Sequence, residues 1–443
     1  MKHKLSKGNM SVNINNFSSD DLAFLKNKYE QVCGLTKREH EEDFTRDGRT
    51  INEFQRDYAR CLYSSSFRRL QGKMQLLSIH GSKFYRNRLT HSLEVATIAR
   101  EIASQLYILS SQLYSKDDVY VVEVGSLMHD IGNPPFGHCG EAVLNNLATS
   151  YGGYEGNAQA LRTVRLLEKS HPEFRGLNLT KRSLLALVKY FKKDGKKFLY
   201  SPDYEFIEKL SDSGVTLRSL DAQIMDLADE IAYAAHDLED AISEGFITID
   251  ALLYEFEQAT IESRSDAWER AYEALKTIVD QCRRHASKAK IFKDSEEYDF
   301  ILKKRLTSRI ANTLINDLGV VKLHQDDKCK LGTMEDQELS YKSLQKLTQG
   351  LKKFTYKCIQ RSDKVAVYEI NGETVLQRLF KFYSDESHSE IFLPPEYRYS
   401  NPEIDKMTSR NRNVIDYLAG MMDSFAIEQY IRIFGKKDLL DMK

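Results

Sequence analysis

The chain has 443 residues, 41% of them hydrophobic, enough to bury one large core or two to three smaller ones. Its 64 basic and 65 acidic residues leave a formal net charge of −1, which argues against bulk nucleic-acid binding and leaves room only for local patches. Seven prolines favour helices, and six scattered cysteines without a CxxC pair argue against a zinc–cysteine site or a disulfide framework and for a reducing cytoplasm.

Residues 1–20 are polar, read as flexible, and hold no apolar core of signal-peptide length. No stretch approaches the ~18 apolar residues of a bilayer span, so a soluble, cytoplasmic, all-α protein with a few short strands is expected. Helical spacing runs from Asp57 to Leu70, and "LLSIHGSKFYRNR" (76–88) reads as a loop or short hairpin. Residues 91–107 form an amphipathic helix with His91, Val95, Ile98 and Ile102 on one face. Residues 119–130 are apolar enough for a buried helix, ended by Asn133-Pro134-Pro135. Further helices are expected over 180–193, 219–243 (stopped by Gly245), 250–290, 296–317 and 410–435. "KVAVYEING" (364–372) suggests a short strand ending in an Asn-Gly turn, and the polar segment 318–345 a surface loop or weak boundary.

The stretch "HDIGNPPFGHCGE" (129–141) poses the chemical question. A buried helix ends on His129-Asp130, the chain turns on two prolines, and His138 and Glu141 follow. Buried imidazole and carboxylate are costly unless hydrogen-bonded, ion-paired or bound to metal. His91 alone reads as a hydrogen-bonded core histidine. Together with His129-Asp130 and an Asp of the acidic 219–243 helix it reads as a metal site. Mixed His/carboxylate ligation suits Mn²⁺, Fe²⁺, Ni²⁺, Co²⁺ or Mg²⁺ better than structural zinc. On the 219–243 helix Asp226, Asp229, Tyr233 and Asp237 share a face. Such a stripe is usually a wet surface; a Tyr among the acids suggests a cleft wall instead. The stretch Lys181–Lys197 carries seven Lys/Arg against one Asp, a solvated face or a phosphate-binding one. Cys139 reads as a bystander.

These blocks, "RDYARCLYSSSFRRLQGKMQ", "NRLTHSLEV", "LMHDIGNPPFGHCGE", "EGNAQALR", "LADEIAYAAHDLEDAI" and more weakly "NVIDYLAGMMDSFAIEQY", resemble the HD-domain phosphohydrolases. More narrowly they resemble the deoxyguanosine triphosphate triphosphohydrolase (dGTPase) family. The resemblance implies an N-terminal segment (1–50), an HD-domain catalytic core (51–245) and a helical C-terminal region (246–443) completing the active site and oligomer contacts. It implies water attack at the α-phosphorus of dGTP or other dNTPs, releasing deoxynucleoside and tripolyphosphate. His91, His129, Asp130 and Asp229 become the ligands of one divalent metal per site, with Asp226 the fallback for Asp229. His138 and Glu141 become the catalytic pair, and Arg88, Lys189, Tyr190 and Lys197 fall near the triphosphate and sugar. Gln75 and Leu76 match the pair packed on the sugar, Tyr233 the ring beneath it, and Asp237 the partner of the 3′-hydroxyl. A Tyr against C2′ would exclude ribonucleotides. Asn133 stands where the mammalian SAM- and HD-domain relative has His, as in bacterial dGTPases, and Asn157 where some relatives have His. The resemblance also implies a homo-oligomer, hexameric as in the family, with an effector dNTP or single-stranded DNA as further partners and no membrane. The competing expectations are another HD phosphohydrolase (a 5′-nucleotidase or alarmone hydrolase) and a non-catalytic nucleotide-sensing scaffold. Gln75, Tyr233 and Asp237 speak against the first, and the intact ligands with His138 and Glu141 against the second.

Overall fold

Side-chain caps start most of the helices. Ser18 and Asp21 form a capping box at α1 (Ser19–Glu30), and Asn52 caps α2 (Glu53–Tyr63). Ser64 ends α2 in extended backbone and caps α3 (Ser65–Arg69), so the helical run expected over 57–70 is broken in the middle. Asn87 and Thr90 box the start of α4 (Arg88–Leu109). In the computed structural model the described residues are 17–42, 52–75, 86–111, 113–169, 171–211, 214–398, 406–436 and 439–440. The expected flexibility of the first residues therefore lies outside the described residues up to 16, as does the 76–88 loop over 76–85. Met74 and Asn87 join the near ends of that loop by an isolated antiparallel bridge.

The apolar α5 (Val119–Met128) is buried almost throughout. After it come α6 (Gly137–Leu147), α7 (Gly156–Arg162), α8 (Lys181–Leu185), α9 (Ser201–Ser211) and α10 (Leu220–Ala232). Val95, Ile98 and Ile102 of α4 and Ile224, Leu227 and Ile231 of α10 share one core, which holds His91 and Asp229 on neighbouring helices. The helix expected over 180–193 stops at Leu185. Beyond it the backbone finds non-local partners: Phe191 N–H donates to Leu331 O, and Leu199 N–H to Lys192 O. Those bonds replace a further helical turn and lead Lys189 toward α10.

A π-helical turn at Tyr233–Asp237 joins α10 to α11 (Leu238–Ser243), and Gly245 follows at φ 76°. Then come α12 (Ile249–Ser263), α13 (Asp266–Ala286) and α14 (Ser295–Asn316). The segment expected to be loop over 318–345 is instead a small folded unit. Strands β1 (Leu318–Lys322) and β2 (Gln337–Tyr341) pair antiparallel, Leu318 opposite Tyr341, around α15 (Gln325–Leu331). The alternation of Leu318, Val320, Leu339 and Tyr341 into the core is too short to stand out among the polar residues between them.

The C-terminal part adds α16 (Gln345–Ile359), α17 (Asp363–Ser384), α18 (Glu386–Phe392), α19 (Lys406–Ala419) and α20 (Asp423–Phe434). The strand expected at 364–372 is a correction: these residues belong to α17. Its Asn-Gly is a packing device rather than a turn. A Cβ at Gly372 would sit 2.6 Å from Phe136 Cγ, while the Asn371 amide exchanges hydrogen bonds with the Leu440 backbone at 3.0 and 2.8 Å. The single helix expected over 410–435 is two, broken at Gly420–Met422. Helices α6, α17, α19 and α20 form a separate core around Phe136, Leu376, Leu379 and Tyr430. No helix among the described residues is long and apolar enough to cross a membrane.

Candidate active site

A cavity of about 650 Å³ opens where α4, the end of α5, α6, α10 and α16 converge. At its floor His91 Nε2 lies 3.2 Å and His129 Nε2 3.5 Å from the same oxygen of Asp229. The ligand-type atoms of these three residues all fall within 4.8 Å of one another. Asp130 is adjacent, its Oδ1 3.4 Å from His129 Nε2. Arg88 donates to Asp130 Oδ2 at 2.6 Å, and the Asn133 amide donates to Asp130 Oδ1.

The donor set fits a cation. The Nδ1–H of His129 is spent on the Ser126 carbonyl at 2.6 Å, which leaves Nε2 as the free lone pair of the neutral ring. That Nε2 is buried without a hydrogen-bond partner among the described residues, an expensive arrangement unless an ion completes it. Burial pulls the His129 imidazole down, but Asp130 and Asp229 more than offset it and raise it to about 9. Burial pushes Asp130 up; Arg88 and the two histidines outweigh this and hold it at about 2. The pocket thus draws positive charge to one point, a proton or a metal ion. Neither Asp130 nor the fallback ligand Asp226 is in the group of three: Arg88 and Asn133 hold the two oxygens of Asp130 beside it, and Lys189 and Arg218 take the Asp226 carboxylate at 2.7 and 2.6 Å.

His138 and Glu141 stand one turn apart at the start of α6, Nδ1 3.6 Å from Oε2. Glu141 also accepts the Gly156 N–H at 3.1 Å and faces Lys197 at 3.5 Å. Burial would raise its carboxyl; His138, Lys197 and the Gly156 amide hold it at about 2. Two left-handed residues, Phe136 (φ 66°) and Gly137 (φ 57°), aim this turn back at the cavity.

The structure brings Gln75, Arg88, Asn157, Lys189, Tyr190, Lys197 and Tyr233 to the cavity wall with the metal-type residues, His138 and Glu141. Leu76 lies outside the described residues. Asp237 is not on the wall. The π turn that begins at Tyr233 adds a residue to the helical repeat and rotates Asp237 out of the Asp229–Tyr233 line. Its buried carboxylate has no partner among the described residues, and burial beside Asp240 raises its pKa well above the usual range. The basic run also divides. Arg182 is fully buried between Asp118 and Asp221, Lys189 joins Asp226 and Asp229, Lys197 donates to Glu155 at 2.6 Å, and Lys193 and Lys196 are exposed.

One whole wall was missed. Gln345, Gln349, Lys352 and Tyr356 of α16 face the cavity with Thr348 and Lys353. Their spacing of four, three and four is helical, but Leu347, Leu351 and Phe354 on the opposite face make the polar side look like an ordinary wet surface. Gly350 lets this helix close in, since a Cβ there would lie 2.4 Å from Phe256. Asn133 and Glu230 also line the site.

The HD domain family matches residues 88–234, and the phosphohydrolase-associated domain matches residues 341–432. Helical HD fold, His/Asp cluster and associated domain together define a metal-dependent hydrolase of the HD class. A Vibrio cholerae protein named deoxyguanosinetriphosphate triphosphohydrolase-like protein 2 is 47% identical over 95% of this chain and 98% of its own length. Proteins named deoxyguanosinetriphosphate triphosphohydrolase-like are 33% identical in Geobacter sulfurreducens, over 91% of this chain and 93% of theirs, and 31% identical in Shewanella oneidensis, over 90% and 96%. The chain belongs to the deoxyguanosinetriphosphate triphosphohydrolase-like family.

Proposed function

We propose that the protein hydrolyses dGTP, and other dNTPs to a lesser degree, to deoxynucleoside and tripolyphosphate. The observation that carries this reading is one cavity that combines a metal-type His/Asp cluster, a His–Glu pair on a separate turn, and cationic side chains from three directions: Arg88, Lys197 and Lys352. His91, His129, Asp130 and Asp229 would hold one divalent cation, of the Mn²⁺, Mg²⁺, Fe²⁺, Co²⁺ or Ni²⁺ class. When bound, it supplies Lewis acidity at the α-phosphate and acidifies a nearby water.

The remaining work falls to the chain. A water oxygen adds to the α-phosphorus and releases its proton to solvent, the bond from phosphorus to O5′ breaks, and O5′ takes a proton. His138, oriented through Nδ1 by Glu141, is placed to give that proton from Nε2, which makes an otherwise poor leaving group competent. Arg88, Lys197, Lys352 and Lys353 offset the charge of the tetra-anionic substrate. Tyr233 and Gln75 would form the wall against which a deoxyribose packs, and a 2′-hydroxyl pressed on Tyr233 would lose its hydrogen bonds. Helices beyond 246 complete the site in this reading, and the protein works in the cytoplasm as a homo-oligomer, hexameric by resemblance, with dNTP or single-stranded DNA as effectors.

Product analysis tests the reading. With dGTP and Mn²⁺ the expected products are deoxyguanosine and tripolyphosphate, lost in Asp130→Ala. Release of dGMP and pyrophosphate, or of orthophosphate from a nucleoside monophosphate, would assign the site to a different HD phosphohydrolase. Every dNTP left intact, with and without dNTP or DNA effectors, would point to a non-catalytic scaffold.

A further inference from the structure

The turn Ile131–Gly137 connects the metal-type residue Asp130 to the catalytic pair, and its local backbone bonds, Ile131 N–H to Met128 O and Asn133 N–H to Asp130 O, lie at its start. Pro134 and Pro135 have no N–H to donate, and α6 has no side-chain cap of its own. Its position is fixed by groups far away in the chain. Lys73, buried, donates from Nζ to Asn133 O at 2.5 Å and to Ala419 O at 2.7 Å. Asp423, buried at the start of α20, accepts the Phe136 N–H at 3.1 Å on one oxygen. On its other oxygen it accepts the Met74 N–H at 2.9 Å and the Tyr368 hydroxyl at 2.7 Å. Asn133 in turn donates its amide to Asp130. The α19–α20 elbow itself is seated on Gly72, where a Cβ would come within 2.5 Å of the Met422 sulfur.

We infer that Lys73 and Asp423 are positioning residues: one clamp, closed by the C-terminal elbow, that sets Asp130 and His138 at their working separation and aligns Gln75 beside them. Neither touches substrate in this account. Lys73 acts through the Asn133 carbonyl, Asp423 through the Phe136 amide, and both also anchor the segment that leads into Gln75. The C-terminal region thereby participates in the geometry of the site without lining it at these positions. The inference rests on the metal-dependent reading of the site.

The test uses the full chain, stripped of metal, and two readouts: the Mn²⁺ concentration giving half of the Mn²⁺-induced rise in Tm, and kcat and KM for dGTP at saturating Mn²⁺. Asp423→Asn and Lys73→Met are expected to raise the half-saturating Mn²⁺ about tenfold, the order seen for groups that orient metal ligands. They should lower kcat about tenfold, with KM within twofold of the parent. Tyr368→Phe, which removes one of three donors to Asp423, should show a smaller effect in the same direction. Folded variants with half-saturating Mn²⁺ and kcat both within twofold of the parent would overturn the inference. So would failure of both Asp423→Asn and Lys73→Met to fold without metal, since the two residues would then serve stability alone. A parent inert toward every dNTP whose Mn²⁺ response weakens in the variants would overturn the dNTP reading and leave the clamp standing.

Discussion

Lys189 donates to Asp229 Oδ2 at 3.0 Å, while His91 and His129 approach the other oxygen of that carboxylate. A lysine that sequence reasoning gave to the triphosphate therefore also orients a metal-type carboxylate. Burial would strip charge from Lys189, but Asp226 and Asp229 raise its pKa well above the ordinary value, so it is charged at any working pH. Lys189→Met should weaken Mn²⁺ binding about 10–100-fold in a thermal-shift titration. Unchanged Mn²⁺ affinity with a raised KM would return the residue to the phosphate.

Lys352 projects from α16 over the Tyr233 ring at 5.2 Å and lies 3.8 Å from Glu230. It makes no contact with the metal-type cluster, so its contribution should be to substrate binding. Lys352→Ala is expected to raise KM for dGTP about tenfold, equivalent to about 1.4 kcal/mol, with kcat little changed. A fall in kcat at constant KM in steady-state kinetics would place Lys352 in transition-state stabilisation instead.

Gly372→Ala tests the packing that replaced the expected turn. The added methyl would meet Phe136, the left-handed residue that launches the His138 helix. Overpacking of this kind costs about 1–3 kcal/mol, more than the helix propensity gained by losing glycine. Urea unfolding should show the loss, and hydrolysis should fall with it. A stabilised, fully active variant would mean the Phe136 ring yields freely.

Glu42 provides the acid dependence. Arg60 donates to both its oxygens at 2.7 and 2.6 Å, Asn178 donates at 2.8 Å, and Arg56 joins them. Burial would raise the carboxyl, but these donors lower it from 4.5 to about 2. The folded pKa is depressed, so the stabilisation is complete above about 4.5 and is lost as pH falls through about 2. Glu42→Gln should therefore be less stable than the parent at pH 7, with the gap closing as the pH falls from 4.5. A gap in urea midpoints that stays constant down to pH 3 would remove Glu42 from the acid response.

What could be read beforehand followed the strength of the local signals. His91 and His129-Asp130 stood out together because polar groups interrupt long apolar helices, and the structure gathers His91 and His129 with Asp229 and sets Asp130 next to His129. The α16 wall did not stand out, because a cavity-facing polar stripe and a solvent-facing one have the same period. Asp237 was displaced by a single π turn, which leaves no mark in hydrophobic spacing. The 364–372 segment misled through its β-branched residues and Asn-Gly, local preferences that tertiary packing against Phe136 and Leu440 overrode. The folded unit at 318–345 was hidden by short strands.

The most direct test is hydrolysis of dGTP with Mn²⁺ in water labelled with ¹⁸O. Attack at the α-phosphorus places the label in tripolyphosphate and leaves deoxyguanosine unlabelled. Label in the deoxyguanosine 5′-oxygen, or cleavage between phosphates, would contradict the account.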